Sequence, residues 1–552
     1  MELFYSVLTG PVEHRVHIYS HPSSQAAQPS IATPSSPNIK GLFDQLYVFG
    51  DSLTSYGDYA AYLQKTVLAA SAEPVWSGVS WSNANFGNQL GLRTDLGIAT
   101  PSTTDPGVPG IPSPFYQVVN PFVATPTLGT PRAPSFAIGG ATSGTTSLFE
   151  IIPGLAQTGV QNQIKAALNQ GIRPASNELT LIQGGSNDLL INYILKNPAI
   201  EAVLDKVIEN MRLNIIVQLR AGHSRQVISY GLAAFQGEVD RVRYEMPFLT
   251  NVLNQASEPG SEWLIPWKEF VDAGGLQDFQ EEYATMVQEV AAMFPYATVI
   301  YHSPEHGTNW DTYRHRLGNF ESYGITNTVD YAQATKQDLT TEATNAYLYF
   351  DDVHNTESGQ AMTAQALALT LESNREAIAA ATLTYQKQGT SKRDILLAPR
   401  QNSELIGGDG DDLLIGNTGN DALWGGLGSD TLIGRHGNDW LQGGQGSDWL
   451  IGGTGKDFFS WQASDVSSLW RDTITDFNGL EGDRLGIDAV LDGSDPFANP
   501  GWNYIGSEAF TGAAAELRFA GGHLLGDVDG DEQADLRIHL LGVSTFNSDW
   551  IS

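Results

Sequence analysis

Ser52 stands in the string Tyr47-Val48-Phe49-Gly50-Asp51-Ser52-Leu53, where a short apolar run meets a turn dipeptide. Helical spacing follows from Thr54 to Thr66, with Tyr59, Tyr62, Leu63 and Val67 near one face. A hydroxyl at such a junction lies at the carboxyl end of a strand, where α/β proteins place their chemistry. The plain alternative is a helix cap. Three later stretches end apolar runs in a similar way. Ser135-Phe136-Ala137-Ile138 runs into Gly139-Gly140, and paired glycines leave main-chain N–H groups bare, as an oxyanion site needs, or simply make a tight turn. Thr180-Leu181-Ile182-Gln183 runs into Gly184-Gly185-Ser186 and offers a short amide at Asn187, which could equally be a turn asparagine. Tyr347-Leu348-Tyr349-Phe350 ends in Asp351 and Asp352, three and two residues before His354, a pattern also common on plain surfaces. A serine hydroxyl is a weak nucleophile at neutral pH and needs a base within hydrogen-bond reach.

In this order the four stretches resemble the blocks of the SGNH (GDSL) hydrolase family. The wider strings Phe49–Thr54, Trp81-Ser82-Asn83, Phe136–Ala141 and Gly324-Ile325-Thr326-Asn327 are similar to its lipolytic branch, over residues 43–370 or so. The resemblance implies a Ser-His-Asp mechanism in which His354 takes the proton of Ser52 and Asp351 orients the imidazole; the family's spacing selects Asp351 over Asp352. It assigns the oxyanion donors to the N–H of Ser52, the N–H of Gly140, with Gly139 the open alternative, and the side-chain amide of Asn187. Asp51 and Asp188 read as turn-holding carboxylates. The Gly-x-Ser-x-Gly elbow of ordinary α/β-hydrolases is absent from the chain. His302-Ser303-Pro304-Glu305-His306 has the spacing of a zinc peptidase, but Pro304 opposes the helix that chemistry needs.

From Gly407 the chain repeats every nine residues, beginning Gly-Gly-Asp-Gly-Asp-Asp-Leu-Leu-Ile. Aspartate recurs at Asp412, Asp421, Asp430, Asp439, Asp448 and Asp457, with leucine or phenylalanine two places after each. The pattern resembles the repeat of RTX proteins, a parallel β-roll with Ca²⁺ in its turns. Alternate aspartates share an edge, and stacked carboxylates repel unless a cation sits between them; hard oxygen ligands select calcium. Folding of this part is therefore expected to depend on the metal. Asn417 and Arg435 replace the second glycine of their units, and weaker sites are expected there, more so at Arg435. Asp527-Val528-Asp529-Gly530-Asp531 with Asp535 reads as a further calcium loop. It is not an EF-hand, because Glu532 and Ile538 stand where that loop needs glycine and glutamate.

Strands alternating with helices predict a doubly wound parallel α/β sheet, and the two resemblances imply the flavodoxin-like SGNH fold followed by an all-β parallel β-roll. The expected strands are Gln45–Phe49, Ser135–Ile138, Glu178–Gln183, Gln226–Ser229 and Thr298–Tyr301. The expected helices are Gln161–Gln170, Ala199–Ala221, Asp278–Met293 and Glu357–Leu371. Residues 1–40 read as a disordered or extended lead-in, 41–385 as the hydrolase domain and 386–406 as a linker with a decayed repeat. Residues 407–460 read as the roll and 461–552 as a β cap with a secretion signal. Residues 97–134, rich in Pro, Gly and Thr, read as an irregular excursion.

The formal charge of −33 argues against nucleic acid and anionic membranes and suits divalent cations. No cysteine is present, which excludes disulfides, thiolate metal sites and a cysteine nucleophile. No apolar run approaches the ~20 residues of a membrane helix. The amino terminus lacks the pattern of a cleaved signal peptide. The end, Asp549-Trp550-Ile551-Ser552, is similar to the acidic-then-apolar signal of type I secretion, which implies an extracellular protein and that secretion machinery as partner. The expectation is a secreted serine lipase or esterase acting on a small-molecule or lipid ester. Its rivals are a calcium-dependent surface or adhesion protein with an inert hydrolase domain, and a polysaccharide O-acetylesterase.

Overall fold

The computed structural model describes residues 39, 42–51, 137, 141–146, 159–169, 174–221, 225–230, 236–239, 242–245, 252–302, 320–331, 346–349, 357–487 and 502–551. The expected helix after Ser52, the excursion 97–134, the lead-in other than Ile39 and the strand Ser135–Ile138 other than Ala137 lie outside them.

The first domain runs β1 (Gln45–Phe49), α1 (Val160–Asn169), β2 (Glu178–Gln183), α2 (Ser186–Ile194), α3 (Ile200–Ala221) and β3 (Gln226–Tyr230). An antiparallel hairpin follows, β4 (Gln236–Val239) with β5 (Val242–Glu245). Then come α4 (Ile265–Asp272), α5 (Gly275–Met293) and β6 (Thr298–Tyr301). A parallel pair, β7 (Asn327–Tyr331) and β8 (Tyr347–Tyr349), precedes α6 (Glu357–Ser373) and α7 (Arg375–Ala381). Four strands form one sheet in the order β1-β2-β3-β6, all parallel.

Side chains alternate across a strand, so each strand feeds two cores. Tyr47, Phe49, Ile182 and Val227 pack with the buried stripes of α1, α3 and α5. Leu46, Val48, Leu181, Ile228 and Ile300 pack on the other face against Ala364, Leu367 and Leu371 of α6 and Ile378 of α7. Covering both faces is why these strands carry apolar side chains on both sides rather than on one. Along α3, Leu204, Val207, Met211, Ile215 and Leu219 recur at helical spacing and are all buried. Each such side chain contributes ~1.5–3 kcal/mol by leaving water. α5 begins three residues earlier than its acidic start at Asp278 suggests. Gly274 turns the chain at φ +93°, and Leu276 and Phe279 extend the buried stripe.

The second domain winds between two sheets. One takes β10 (Ile395–Leu397), β12 (Leu413–Ile415), β14 (Thr431–His436), β16 (Trp449–Thr454) and β18 (Asp472–Ile474). The other takes β9 (Tyr385–Gln388), β11 (Ser403–Asp409), β13 (Ala422–Leu427), β15 (Trp440–Gln445), β17 (Phe458–Trp461) and β19 (Arg484–Ile487). Register advances by eighteen residues per coil, as in Leu405↔Leu423↔Leu441↔Phe459 and Leu414↔Leu432↔Leu450. Those side chains are fully buried between the sheets. β20 (Asn503–Tyr504), β21 (Glu516–Ala520), β22 (His523–Asp527) and β23 (Leu536–Leu540) extend the first sheet beyond β18.

The stretch 386–406, expected as a linker with a decayed repeat, is wound into this ladder throughout. β9 pairs with β11 and β10 with β12, so the winding begins at Tyr385. Leu396 and Leu405 keep the nine-residue phase of the inward side chain, and that phase suffices for the strands even where the turn glycines are gone.

The two domains share a buried contact. Tyr296 lies 4.2 Å from Trp440 and 5.0 Å from Phe458, ring centroid to centroid, and Phe294 lies 5.5 Å from Phe458. Arg225, just before β3, sits over the Tyr296 ring and donates from Nη1 to the Asn420 carbonyl at 3.3 Å. Burial pulls its guanidinium down to about 10 despite the nearby Asp439 and Asp421 carboxylates. Asn402 Nδ2 donates to the carbonyls of Ala380, at 2.6 Å, and Thr382, at 3.0 Å.

Candidate active site and calcium-binding turns

The register Phe49↔Ile182 places Gly50-Asp51 beside Gln183-Gly184 at the carboxyl edge of the sheet. Two buried amides fix the turn that leads into Ser52. Gln163 of α1 accepts from the Gly50 N–H at 2.9 Å and donates to the Gly50 carbonyl at 2.8 Å. Gln183 accepts from the Asp51 N–H at 3.3 Å and donates to the Asp51 carboxylate at 3.1 Å.

Gly185, at φ +116°, swings the chain from β2 into α2, so Asn187 and Asp188 fall in the first helical turn. Asn187 Nδ2 donates to the Ala141 carbonyl at 3.0 Å. Asp188 accepts from the Ser143 N–H at 2.8 Å and from its hydroxyl at 2.9 Å. Burial raises the Asp188 carboxyl, and the two Ser143 bonds oppose that shift. From α3, Asn210 donates to Ser143 Oγ at 3.0 Å and Asn214 to its carbonyl at 2.9 Å. The third block of the sequence thus grips the segment that follows Gly139-Gly140.

Ser52, Gly139, Gly140, Asp351, Asp352 and His354 lie outside the described residues. Of the residues expected at the active centre, the structure therefore places Asn187, together with Asp51 and Asp188 beside it. Gln163, Gln183, Ser143, Asn210 and Asn214 were not singled out from sequence. Asn210 and Asn214 do leave a sign, as polar residues four apart on a helix face that is otherwise apolar. His302, the first residue of the peptidase-like string, is buried at the end of β6 against Thr370 of α6, with Nδ1 and Oγ1 at 2.9 Å.

In the roll the repeat aspartates form two ladders. Each Oδ1 accepts the N–H of the residue one coil earlier. Asp412 takes it from Asp394, Asp430 from Asp412 and Asp448 from Asp430. On the other edge Asp421 takes it from Ser403, Asp439 from Asp421 and Asp457 from Asp439. Both ladders run past the repeat, to Asp472 and Asp483, which the nine-residue spacing does not reach.

The second oxygens of Asp412, Asp430, Asp439 and Asp448 are buried without a hydrogen-bond partner. Burial raises Asp448 to about 8, Asp457 to about 7 and Asp430 to about 6, and neighbouring aspartates add to each rise. The first glycine of each unit makes room for these oxygens. A Cβ on Gly425 would come within 2.4 Å of Asp430 Oδ2, and one on Gly443 within 2.2 Å of Asp448 Oδ2. Buried, unpaired hard oxygens of formal negative charge fit a calcium ion. Arg435 keeps φ +83° and Asp439 beside it keeps its free oxygen; Asn417 has no positive φ. The turn at Arg435 thus keeps the geometry of the glycine turns, and the turn at Asn417 does not. Asp527, Asp529 and Asp535 bring carboxylate oxygens within 4.8 Å of one another. Asp531 lies outside that cluster and accepts from Gln533 N and Nε2.

Comparison with known proteins finds a family for each part of the chain. The family described as GDSL-like Lipase/Acylhydrolase matches residues 46–367, more than half the chain. The RTX calcium-binding nonapeptide repeat matches residues 401–432 and 433–460. Comparison with curated proteins gives no match. Among solved structures, two subunits of an Azotobacter vinelandii mannuronan C5-epimerase, AlgE6R3 and AlgE6R2, align at 23% and 22% identity. They cover 30% and 29% of this chain and 80% and 91% of their own, each with TM-score 0.18. An extracellular lipase, LipA, from Serratia marcescens aligns at 12% identity over 66% of this chain and 74% of its own, TM-score 0.16. At such scores none of the three bears on the fold. No helix among the described residues is long and apolar enough to cross a membrane. With its parallel sheet, its pinned Gly-Asp turn and its matched length, this chain belongs to the GDSL-like lipase/acylhydrolase family and carries RTX calcium-binding repeats behind the hydrolase domain.

Proposed function

We propose that the protein is a secreted serine ester hydrolase, of lipase or esterase class, that cleaves a small-molecule or lipid carboxylic ester through an acyl-Ser52 intermediate. His354 acts as the general base and then as the acid, and Asp351 holds its imidazole. Ser52 N–H, Gly140 N–H and the Asn187 amide receive the oxyanion. The observation that carries this reading is the joined edge of β1 and β2. There Gly50-Asp51, covalently bound to Ser52, adjoins the turn that presents Asn187. An amide nitrogen has two hydrogens. The bond to Ala141 commits one and fixes the direction of the other.

Calcium belongs to the same reading. The aspartates at 412, 421, 430, 439, 448 and 457 were the expected ligands, with a separate site at Asp527, Asp529, Asp531 and Asp535. A bound calcium ion would be held by the unpartnered second oxygens of Asp412, Asp430, Asp439 and Asp448 and would offset their charge. The division into a hydrolase domain (41–385), a roll (407–460) and a cap with a type I secretion signal (461–552) is part of the proposal, with the roll's ladders reaching back to Tyr385.

A fluorophosphonate probe tests the enzyme reading. Labelling located at Ser52 by peptide mass spectrometry supports it. Ester hydrolysis with labelling elsewhere, or no labelling, excludes it.

A further inference from the structure

The second residue of each roll turn decides what the outer carboxylate oxygen meets. In the turns before Asp412, Asp430, Asp439 and Asp448 this residue is Gly408, Gly426, Arg435 or Gly444, with φ between +83° and +115°. All four aspartates there keep a buried Oδ2 with no partner. Two turns are built otherwise. Thr390 and Asn417 occupy the same position without positive φ, and each turns its own N–H onto the carboxylate four residues on. Thr390 N donates to Asp394 Oδ2 at 2.7 Å, and Asn417 N donates to Asp421 Oδ2 at 3.0 Å.

Asp394 lies before the matched repeat, but Asp421 lies inside it and in phase. The Asp421 turn also faces a fixed cation. Arg225 of the hydrolase domain, 1% exposed, donates to the carbonyl of the adjacent Asn420 at 3.3 Å, and its Nη2 is buried with no hydrogen-bond partner. A guanidinium cannot shed its charge readily, and this one lies near Glu404 and Asp439 as well as Asp421, so its charge is shared along that edge.

We propose that the turn at Asp421 takes no calcium, unlike those at Asp412, Asp430, Asp439 and Asp448, because the Asn417 N–H closes its carboxylate. One turn of the roll is thereby a metal-free joint between the domains. The inference rests on the calcium reading above.

The test counts calcium bound to the full chain after chelation, reloading and gel filtration, with titration calorimetry in parallel. Asp439→Asn loses at least one ion, and Asp421→Asn keeps the wild-type count. Asn417→Gly, alone or with Arg225→Met, gains one. Where Asp439→Asn does not fold, Asp430→Asn serves as the losing variant. Equal losses in Asp421→Asn and the losing variant overturn the inference, as does a failure of both Asn417→Gly proteins to gain an ion. A wild-type chain that binds no calcium defeats the calcium reading first and this inference with it.

Discussion

Asp188 holds Ser143 at both its main-chain N–H and its hydroxyl, at 2.8 and 2.9 Å, and so ties the first turn of α2 to the segment after Gly139-Gly140. The carboxylate sits one residue from Asn187, whose amide reaches the same segment at Ala141. Two blocks more than forty residues apart in sequence are thereby one rigid piece.

Asp188→Ala leaves two donors of Ser143 without their acceptor. An unsatisfied buried group costs about 1–3 kcal/mol, so a loss of about 2–6 kcal/mol is expected in urea unfolding. An unchanged midpoint would show that the segment is held by Asn210 and Asn214 alone.

Asn187→Ala removes the amide that the proposed mechanism uses as an oxyanion donor and leaves the sheet untouched. The expected effect is a fall in kcat of about 10²–10³-fold with little change in KM on a p-nitrophenyl ester. A rise in KM at constant kcat would instead make Asn187 a substrate-binding group.

Trp440 belongs to the roll yet packs against Tyr296 of the hydrolase domain, and its Nε1 donates to Ser460 Oγ at 2.6 Å. Trp440→Ala is expected to remove about 3–5 kcal/mol from the joint. Calcium-loaded protein followed by circular dichroism in denaturant should then show two transitions where the wild type shows one. A single transition with an unshifted midpoint would mean the contact is incidental.

His302 gives the hydrolase domain a pH dependence. Burial pulls its imidazole down to about 3, against about 6.5 in an unfolded chain. A histidine depressed in the folded state adds stability that is complete above about pH 6.5 and is lost as pH falls toward 3. In excess calcium, melting temperatures between pH 7 and 4 should fall more steeply for the wild type than for His302→Gln. The difference is bounded by about 1.4 kcal/mol per pH unit. Parallel slopes would mean that His302 does not govern the acid limb.

The repeats, the sheet strands and the long helix α3 were all legible, because each rests on a period that burial enforces. Leu396 and Leu405 show where that reading stopped short. They keep the period after the turn glycines have gone, so a boundary drawn on glycine falls two units late. Arg435 and Asn417 show a second limit. Residue type suggests that arginine harms a glycine position more, but the neighbouring coils hold Arg435 at φ +83°, while Asn417 takes another path. Asp472 and Asp483 escaped because their spacing to the previous ladder member is 24 and 26 residues rather than 18. Gln163 carries no motif, and Gln183 stands in the third block with no sign of its own. They matter only because β1, α1 and β2 bring them to Gly50 and Asp51.

Hydrolysis of a p-nitrophenyl ester by the wild type and Ser52→Ala, with bound calcium and circular dichroism recorded on both, bears most directly on the chemistry. Turnover lower by roughly 10⁴-fold or more in Ser52→Ala, with calcium content and spectrum unchanged, is the predicted result. Turnover retained in a folded, calcium-loaded Ser52→Ala protein would contradict it.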